Sequence, residues 1–494
     1  MCFWEGKEIM TYRIKIDRER VIGEINPNIY GHFIEHMSRC IYGGIYDERS
    51  NLSDENGFRK DVIAALRDIR VPIVRWPGGN FASCYHWKNG IGPKEHRIVK
   101  YDPVWRVEES NLFGTDEFIQ FCQRIGAEPY ICVNMGTGTI DEAIEWVEYC
   151  NRKGNSYYAK LREKYGSKKP YSVKYWGLGN EVYGEWQMGH KSAAEYAKTA
   201  KEFAKAMKWV DPSIKLIAVG ADNPEWDYEV IKQVGKYIDY ISIHGYYTPL
   251  SESYYTAMAV SQLMENRTRV LKGAIDAGMN SANHKIKIAW DEWNLLGWLH
   301  YEKHLENDNN KYYNLQNAMV TASILNSFQR LCKIITMANY SPTVNIRGMI
   351  FTHNKGLVLR PQYHVFKMYT NHSGKIALDA LVESEEYECD INNEKIRVKY
   401  LDVSVTWDKS RQKLFIATVN KHKDKNIDCE ISLQNFPLPG EIQTYQLTHS
   451  DILAYNDVNH PHELIITEKR IENLSKKLVV QFPAHSITII EVNV

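Results

Sequence analysis

The chain has 494 residues, of which 44% are hydrophobic and 25% charged, a balance typical of a soluble globular protein with a large core. Lysine plus arginine equals aspartate plus glutamate at 61 each, which argues against a nucleic acid or an anionic membrane as partner. The chain also has no secretory apolar run at its start and no uncharged apolar stretch of about 18 residues, so we expect a cytoplasmic protein.

The first predicted strand is TYRIKIDRERVIGEI, which begins at Thr11. The residues before it lack the alternation of a strand, so we expect Met1 to Met10 to contribute little to the fold, and Met10 is a candidate natural start. The nine cysteines show no CxxC spacing and are odd in number. They are expected to be reduced, buried thiols.

From residue 29 to residue 374, short apolar runs alternate with amphipathic segments whose apolar residues recur at three and four. The runs are NIYGHFIEH, VPIVRWPGG, AEPYICVNMG, SVKYWGLGNE, IKLIAVGA, IDYISIHGYY, KIKIAWDEWN and KIITMANYS. Eight strands, each followed by a helix, predict an α/β fold of the (β/α)8 barrel type. The nucleotide-binding patterns GxGxxG and GxxxxGK follow none of these runs.

Residues 375–494 show a different pattern, with strands such as IRVKYLDVSVTWD, KLFIATVN and SITIIEVNV at short spacing between polar turns. This predicts a C-terminal all-β sandwich. We expect residues 1–28 to add their strand to that sandwich, and the two domains to share a fixed interface.

In a (β/α)8 barrel the active site lies at the C-terminal ends of the strands, so polar residues at those ends are candidates for chemistry. They are Glu35, His36, Arg75, Asn80, Asn134, Asn180, Glu181, His244, Tyr246, Asp291, Glu292 and Asn294.

Glu181 and Glu292 follow strands four and seven, which places them across the barrel mouth from each other. Glycoside cleavage needs one carboxyl group that protonates the leaving oxygen and a second that meets the developing oxocarbenium carbon. The alternative for Glu181 is a helix-capping or salt-bridging role. As a general acid, Glu181 must stay neutral around pH 6, and we expect the negative charge of Glu292 to be the main cause.

Three further side chains are expected to support the pair. Arg75 would keep Glu292 ionised, Tyr246 would donate a hydrogen bond to it, and His244 would orient Arg75 or the substrate. A structural role is the alternative for Arg75 and for His244. Strand alternation predicts that Asp291 points away from Glu292.

A metal site is not expected, because the chain has no HExxH and no HxH on the first strand, and GHFIEH places its histidines four apart on a strand. The two-carboxylate chemistry also needs no cofactor.

Together these motifs resemble glycoside hydrolase family 51, the α-L-arabinofuranosidases. The segments that carry the resemblance are IYGHFIEHMSRCIYGGIYDE, VRWPGGNFASCYHWKNGIGP, YWGLGNEVYGEWQMGH, ISIHGYY and AWDEWN, in this order over nearly the whole chain.

The resemblance implies that Glu181 is the acid/base, Glu292 the nucleophile, and Glu35, Asn80 and Asn180 ligands of the arabinofuranose hydroxyls. Arg75, His244 and Tyr246 match supporting residues of the wider clan. The resemblance further implies a retaining mechanism, a C-terminal β-sandwich joined by the N-terminal strand, no cofactor, and a homo-oligomer, frequently a hexamer.

The chain departs from the family pattern at three places. Leu296 stands where an aromatic residue is common, with Trp298 two residues later. Cys84 replaces a usual glycine, which predicts a buried thiol near the mouth. Gln362 has only an ambiguous match to a sugar-binding glutamine.

The primary hypothesis is therefore an exo-acting α-L-arabinofuranosidase that trims arabinan- or arabinoxylan-derived oligosaccharides. An endo-glucanase or another retaining glycosidase of the same clan is the enzyme alternative, since the barrel and both glutamates serve either. An inactive carbohydrate-binding protein is the alternative from a different class. The sequence does not specify a 1,2, 1,3 or 1,5 linkage.

Overall fold

The computed structural model describes residues 12–247, 253–295, 310–391, 394–472 and 477–494. In chain order the strands are β1 (Tyr12–Glu24), β2 (Gly31–Phe33), β3 (Ile73–Trp76), β4 (Lys100–Asp102), β5 (Val107–Glu109), β6 (Glu128–Val133), β7 (Tyr175–Leu178), β8 (Lys215–Ala218), β9 (Tyr240–Tyr246), β10 (Lys287–Asn294), β11 (Ile335–Tyr340), β12 (Ile350–His353), β13 (Gly356–Leu359), β14 (Ile376–Glu383), β15 (Glu386–Ile391), β16 (Glu394–Lys399), β17 (Leu401–Asp408), β18 (Lys413–Asn420), β19 (Ile427–Gln434), β20 (Glu441–Leu447), β21 (Thr467–Glu472), β22 (Leu478–Phe482) and β23 (Ser486–Asn493). The α-helices are α1 (Lys60–Asp68), α2 (Thr115–Ile125), α3 (Ile140–Asn151), α4 (Tyr157–Tyr165), α5 (Ala193–Val210), α6 (Pro224–Val234), α7 (Tyr254–Gly278), α8 (Leu315–Arg330) and α9 (Pro361–Asn371).

Within these ranges, eight parallel strands close into a barrel in the order β10-β11-β2-β3-β6-β7-β8-β9. The predicted (β/α)8 fold is confirmed. Barrel strands contribute side chains to a buried layer inside the barrel, which makes the interior a packed core rather than a pore. The layer consists of Ile73, Tyr130, Tyr175, Ile217, Tyr240, Ala289 and Met337.

The helices begin and end where the local sequence satisfies their free backbone groups. The hydroxyl of Ser192 accepts from the backbone N–H of Glu195 at the start of α5, and Glu195 returns a bond to the Ser192 N–H. Helix α2 ends at Ile125, and the next residue, Gly126, has a φ of 77°, the left-handed conformation that favours glycine.

The C-terminal strands form a nine-stranded sheet in the order β21-β20-β23-β18-β17-β14-β1-β19-β22. Strand β1 lies inside this sheet, antiparallel to β14 and parallel to β19. Apolar residues from distant strands, such as Val405, Ile431 and Ile490, share one core cluster, so the sheet folds over on itself. The predicted domain boundaries at residues 28 and 374 fall in the connections β1–β2 and α9–β14.

The two domains share a buried interface. Phe415, Ala417 and Ile489, on the second face of the sheet, belong to the same core cluster as the barrel helices. Asp402 is buried there and pairs with Lys421 at 2.8 Å and with Arg330 of α8 at 2.7 Å. The interface therefore combines apolar packing with buried, paired charges.

The segment IRVKYLDVSVTWD, expected as one strand, is divided at Tyr400 into β16 and β17. The first half pairs with β15 in a two-stranded ribbon, and the second half enters the main sheet. Apolar and polar residues alternate in both halves, so the sequence pattern does not show that the two halves pair with different strands.

Candidate active site

The predicted site residues converge at the C-terminal mouth of the barrel. They lie on, or directly after, strands β2, β3, β7, β9 and β10, whose carboxyl ends meet there. They are Glu35, Arg75, Asn80, Asn180, Glu181, His244, Tyr246 and Glu292.

The Glu292 carboxylate is held by two strong donors. Its Oε1 accepts from Arg75 Nη1 at 2.5 Å, and its Oε2 accepts from the Tyr246 hydroxyl at 2.6 Å. The second arm of the Arg75 guanidinium, Nη2, donates to Asn180 Oδ1 at 2.7 Å. The rigid guanidinium fork therefore links strands β3, β7 and β10 around Glu292.

Glu181 follows β7 with a φ of 42°, a left-handed conformation that a residue with a side chain rarely adopts. Its carboxylate accepts two N–H bonds, from His244 Nδ1 at 2.8 Å and from Trp186 Nε1 at 3.0 Å. One oxygen of Glu181, one of Glu292 and a ring nitrogen of His244 lie within 4.8 Å of one another.

The proton of this cluster lies on the imidazole. Burial acts to lower the pKa of His244, but the charges of Glu292 and Asp291 and the hydrogen bond to Glu181 outweigh it and raise that pKa to about 10. Burial acts to raise the pKa of Glu181, and the hydrogen bond and charge of His244 reverse the effect, leaving that pKa below its usual range.

The expectation that Glu292 keeps Glu181 neutral is thus wrong for the free protein. The physical reason is that His244 lies against the Glu181 carboxylate and supplies the nearest positive charge.

Asp291 also faces the barrel interior, contrary to the prediction from strand alternation. The pairing of β10 with β9 shifts register between Ala289 and Glu292, so alternation is broken between them. Asp291 Oδ1 contacts His244 Nε2 at 3.0 Å, and Oδ2 accepts from the Tyr130 hydroxyl at 2.7 Å. His244 therefore bridges Asp291 and Glu181 rather than orienting Arg75.

Both ring nitrogens of His244 face carboxylates, Nδ1 against Glu181 and Nε2 against Asp291, so the protonated ring satisfies both contacts.

Glu35 and Glu292 both lie close to Gly79. A Cβ at Gly79 would stand 3.2 Å from Glu292 Oε1 and 3.3 Å from Glu35 Oε2, and one at Gly78 would meet Glu35 Cγ at 2.5 Å. The two glycines therefore leave the space that these carboxyl groups occupy beside the backbone. Burial, with a further contribution from the charge of Glu292, raises the pKa of Glu35 to about 8.

Asn80 and Asn180 are joined by a residue that the sequence did not single out. Gln187 Nε2 donates to Asn80 Oδ1 at 3.0 Å and to the Asn180 carbonyl at 2.9 Å. Gln187 lies in the turn after β7, and the only sign of it in the sequence was its closeness to Asn180 and Glu181.

Two tryptophans and a serine were also missed. Trp105 Nε1 donates to Glu35 Oε1 at 3.3 Å, and Ser341 Oγ lies 2.7 Å from the Tyr246 hydroxyl. Trp186, 65% exposed at the mouth, rests over Gly184, where a Cβ would meet its ring at 2.4 Å. In the sequence, the Gly-Glu-Trp run shortly after Glu181 could have pointed to Trp186.

The remaining strand-end candidates have local contacts. Asn134 donates to the Tyr85 carbonyl at 3.1 Å, and Asn294 donates to the Ser341 carbonyl at 2.8 Å. Cys84 is a buried thiol near the mouth, as expected. Gln362 is buried in α9. Leu296 and Trp298 lie outside the described residues, as do Met1 to Met10.

Comparison with known proteins gives consistent matches. The family model described as "Alpha-L-arabinofuranosidase 1 domain" matches residues 65–266, and "Alpha-L-arabinofuranosidase C-terminal domain" matches residues 291–486. Alpha-L-arabinofuranosidase C of Emericella nidulans is 36% identical over 97% of this chain and 96% of its own length. The Bacillus subtilis protein named "Intracellular exo-alpha-(1->5)-L-arabinofuranosidase 1" is 35% identical over 90% of this chain and 92% of its own length.

Solved structures agree with these matches. The α-L-arabinofuranosidase of Thermotoga maritima, solved as an arabinose complex, has a TM-score of 0.91 and 43% identity, covering 98% of this chain and all of its own. The family 51 enzyme of Thermotoga petrophila has a TM-score of 0.90 and 44% identity over the same shares of the two chains.

Proposed function

The chain belongs to the α-L-arabinofuranosidases of glycoside hydrolase family 51, and from this premise we propose that it releases terminal, non-reducing α-L-arabinofuranosyl residues from arabinan- or arabinoxylan-derived oligosaccharides with retention of configuration. It is a glycoside hydrolase that acts on arabinofuranosides. The mechanism and the position of attack are the parts that we propose.

The observation that carries retention is the separation of the two glutamates. Retaining glycosidases hold their carboxyl groups about 5 Å apart, whereas inverting enzymes leave about 6.5–9.5 Å for a water molecule. Oxygens of Glu181 and Glu292 lie within 4.8 Å of each other. This gap supports direct attack by a carboxylate on the sugar.

Glu292 is our proposed nucleophile, because Arg75 and Tyr246 bind its carboxylate in the ionised form. Its oxygen attacks the anomeric carbon and forms a glycosyl ester, while the bond to the leaving oxygen breaks. Glu181 is the proposed acid that protonates this oxygen. It then accepts a proton from the water that hydrolyses the ester.

Glu35, Asn80 and Asn180 are the proposed ligands of the sugar hydroxyls. A Glu35 that is neutral below about pH 8 can donate as well as accept a hydrogen bond. The amides of Asn80 and Asn180 lie within 3.4 Å of each other, and Asn180 also accepts from Arg75, which binds Glu292.

The proposal of exo action on 1,5-linked arabinose draws on the Bacillus subtilis relative, whose name states both properties. A glucanase-xylanase and a xyloglucanase share only the fold with this chain, at TM-scores of 0.60 and 0.62 and identities of 15% and 14%. Every group of the two-glutamate chemistry is present, which disfavours an inactive binding protein.

Proton NMR of the first sugar released from a defined 1,5-arabinotriose tests the proposal. We expect the α-anomer of arabinose to appear first, with arabinobiose as co-product, and Glu292→Ala to remove the activity. The β-anomer as first product would refute retention, and internal cleavage of longer chains would refute exo action. Parallel assays on aryl glucosides and xylosides test the alternative specificities.

We also propose a cytoplasmic, homo-oligomeric protein, a hexamer being the assembly that the family resemblance implies. The name of the Bacillus subtilis relative describes it as intracellular, which supports the location. None of the helices in the described part of the chain combines the length and apolar character needed to cross a bilayer. Cell fractionation and light scattering after gel filtration test the two statements.

A further inference from the structure

The hairpin of β4 and β5, which stands beside the barrel mouth, has an unusual distribution of side chains. Apolar residues in its strands and directly before them face solvent, with Val99, Tyr101 and Val107 exposed at 63%, 59% and 47%. Its two buried side chains are the carboxylates Asp102 and Glu109, at 4% and 6%. Proteins ordinarily bury the opposite classes, because a carboxylate is stable inside only when donors surround it.

Glu109 receives three donors, two of them from the segment that follows β2. Its Oε2 contacts His36 Nδ1 at 3.0 Å, and its Oε1 accepts from the Tyr42 hydroxyl at 2.5 Å and the Asn111 N–H at 2.7 Å. The indole N–H of Trp76 donates to His36 Nε2 at 3.1 Å, which leaves the imidazole hydrogen on Nδ1, directed at Glu109.

Asp102 is satisfied in the same way at the other end of the hairpin. Its Oδ1 accepts from the Cys84 thiol at 3.2 Å, and its Oδ2 accepts from the Trp105 N–H at 2.7 Å. Burial and the charge of Asp102 raise the pKa of Cys84, so the sulfur stays a donor. A pocket of about 20 Å³ lies between the hairpin and residues 81–89, and both buried carboxylates line it.

The turn between the two carboxylates carries Trp105, whose indole N–H donates to Glu35 Oε1. Glu35 directly precedes His36, so consecutive residues serve the sugar pocket and the hairpin. Movement of the hairpin therefore displaces a donor of Glu35.

We propose that Asp102 and Glu109 are positioning residues of the sugar pocket. Their buried hydrogen bonds hold the hairpin so that Trp105 closes beside the arabinofuranose and fixes Glu35. This inference rests on the proposed function for its kinetic consequence, and on the structure alone for the ordering of the hairpin.

The kinetic test is a double-mutant cycle on an activated aryl arabinofuranoside, with Glu109→Gln, Trp105→Ala and both together. Glu109→Gln should raise KM about tenfold, the effect of losing a charged hydrogen bond, and change kcat less than about threefold. In the Trp105→Ala background the same change should have almost no effect, because the group being positioned is gone. Glu108→Gln, on the exposed face of the same strand, is the matched control and should behave as wild type.

Hydrogen exchange of the same variants gives a readout that needs no turnover. We expect Glu109→Gln and Asp102→Asn to speed exchange over residues 100–109, with the barrel strands unchanged. Unchanged exchange of the hairpin, or additive kinetic losses in the cycle, would overturn the positioning role. A wild-type chain that fails to cleave arabinofuranosides would instead refute the proposed function, and the exchange result would still decide the role of the carboxylates.

Discussion

Removal of the acid/base candidate, Glu181→Ala, should separate substrates by how much proton assistance their leaving groups need. General acid catalysis contributes about 10²- to 10⁴-fold, or about 3–5 kcal/mol at 1.36 kcal/mol per tenfold. In this site the resting proton lies on His244, so it must shift to Glu181 before donation. We therefore expect a loss near the lower end, about 10²-fold, in kcat/KM on arabino-oligosaccharides.

An acidic nitrophenol departs without a proton, so the first step of its arabinofuranoside should keep nearly the wild-type rate in Glu181→Ala. Hydrolysis of the glycosyl ester still lacks a base, and a burst of nitrophenol followed by slow turnover should result. A series of aryl arabinofuranosides measured in stopped flow should show a steep dependence on leaving-group acidity that wild type lacks. Glu185→Ala, an exposed neighbour, is the matched control. Equal losses on nitrophenyl and natural substrates would refute the assignment of Glu181 as acid.

Three other perturbations test the electrostatics of the site. Arg75→Met should lower the free energy of unfolding by about 3–5 kcal/mol in urea titrations, because it leaves buried carboxylates unpaired. The double variant Arg75→Met/Glu292→Gln should recover part of that loss, and full stability of the single variant would contradict the pairing. Nitrogen NMR of labelled histidine should show His244 as an imidazolium at neutral pH, with a pKa near 10 that falls in Asp291→Asn. A neutral ring at pH 7 would contradict the assignment of the proton to His244. The value of kcat/KM should fall as pH rises through about 8, where Glu35 ionises beside Glu292. Glu35→Gln should be slower overall and should not show this fall. The same fall in the variant would mean that another group causes it.

The barrel could be predicted because its signals are local. Each strand is a short apolar run, each helix repeats at three and four, and alternation of the two allows few topologies. The mouth residues followed from topology alone, since every parallel strand delivers its carboxyl end to the same face. The prediction that Glu181 and Glu292 lie together at the mouth needed no side-chain geometry.

What the sequence could not show depends on contacts between distant segments. The register shift in β10 is invisible to alternation, so Asp291 was assigned to the wrong face. Trp105 lies 70 residues from Glu35 and belongs to a hairpin whose apolar residues are exposed. A pattern search for buried apolar faces passes over such an element. The position of His244 against Glu181 likewise decides the protonation state of the free protein.

The charges of the site explain how one arrangement can serve both halves of the proposed reaction. Arg75 and protonated His244 face the carboxylates of Glu181, Asp291 and Glu292, which leaves one excess negative charge in a buried space. An oxocarbenium carbon that develops there meets charge of the opposite sign. When the glycosyl ester forms, Glu292 loses its charge, and the proton delivered to the leaving oxygen removes one positive charge from the His244–Glu181 pair. The excess remains one negative charge in both states. The buried site therefore avoids a change of net charge, which a low-dielectric environment would oppose, and the water that attacks the ester meets Glu181 in the ionised form that a base requires.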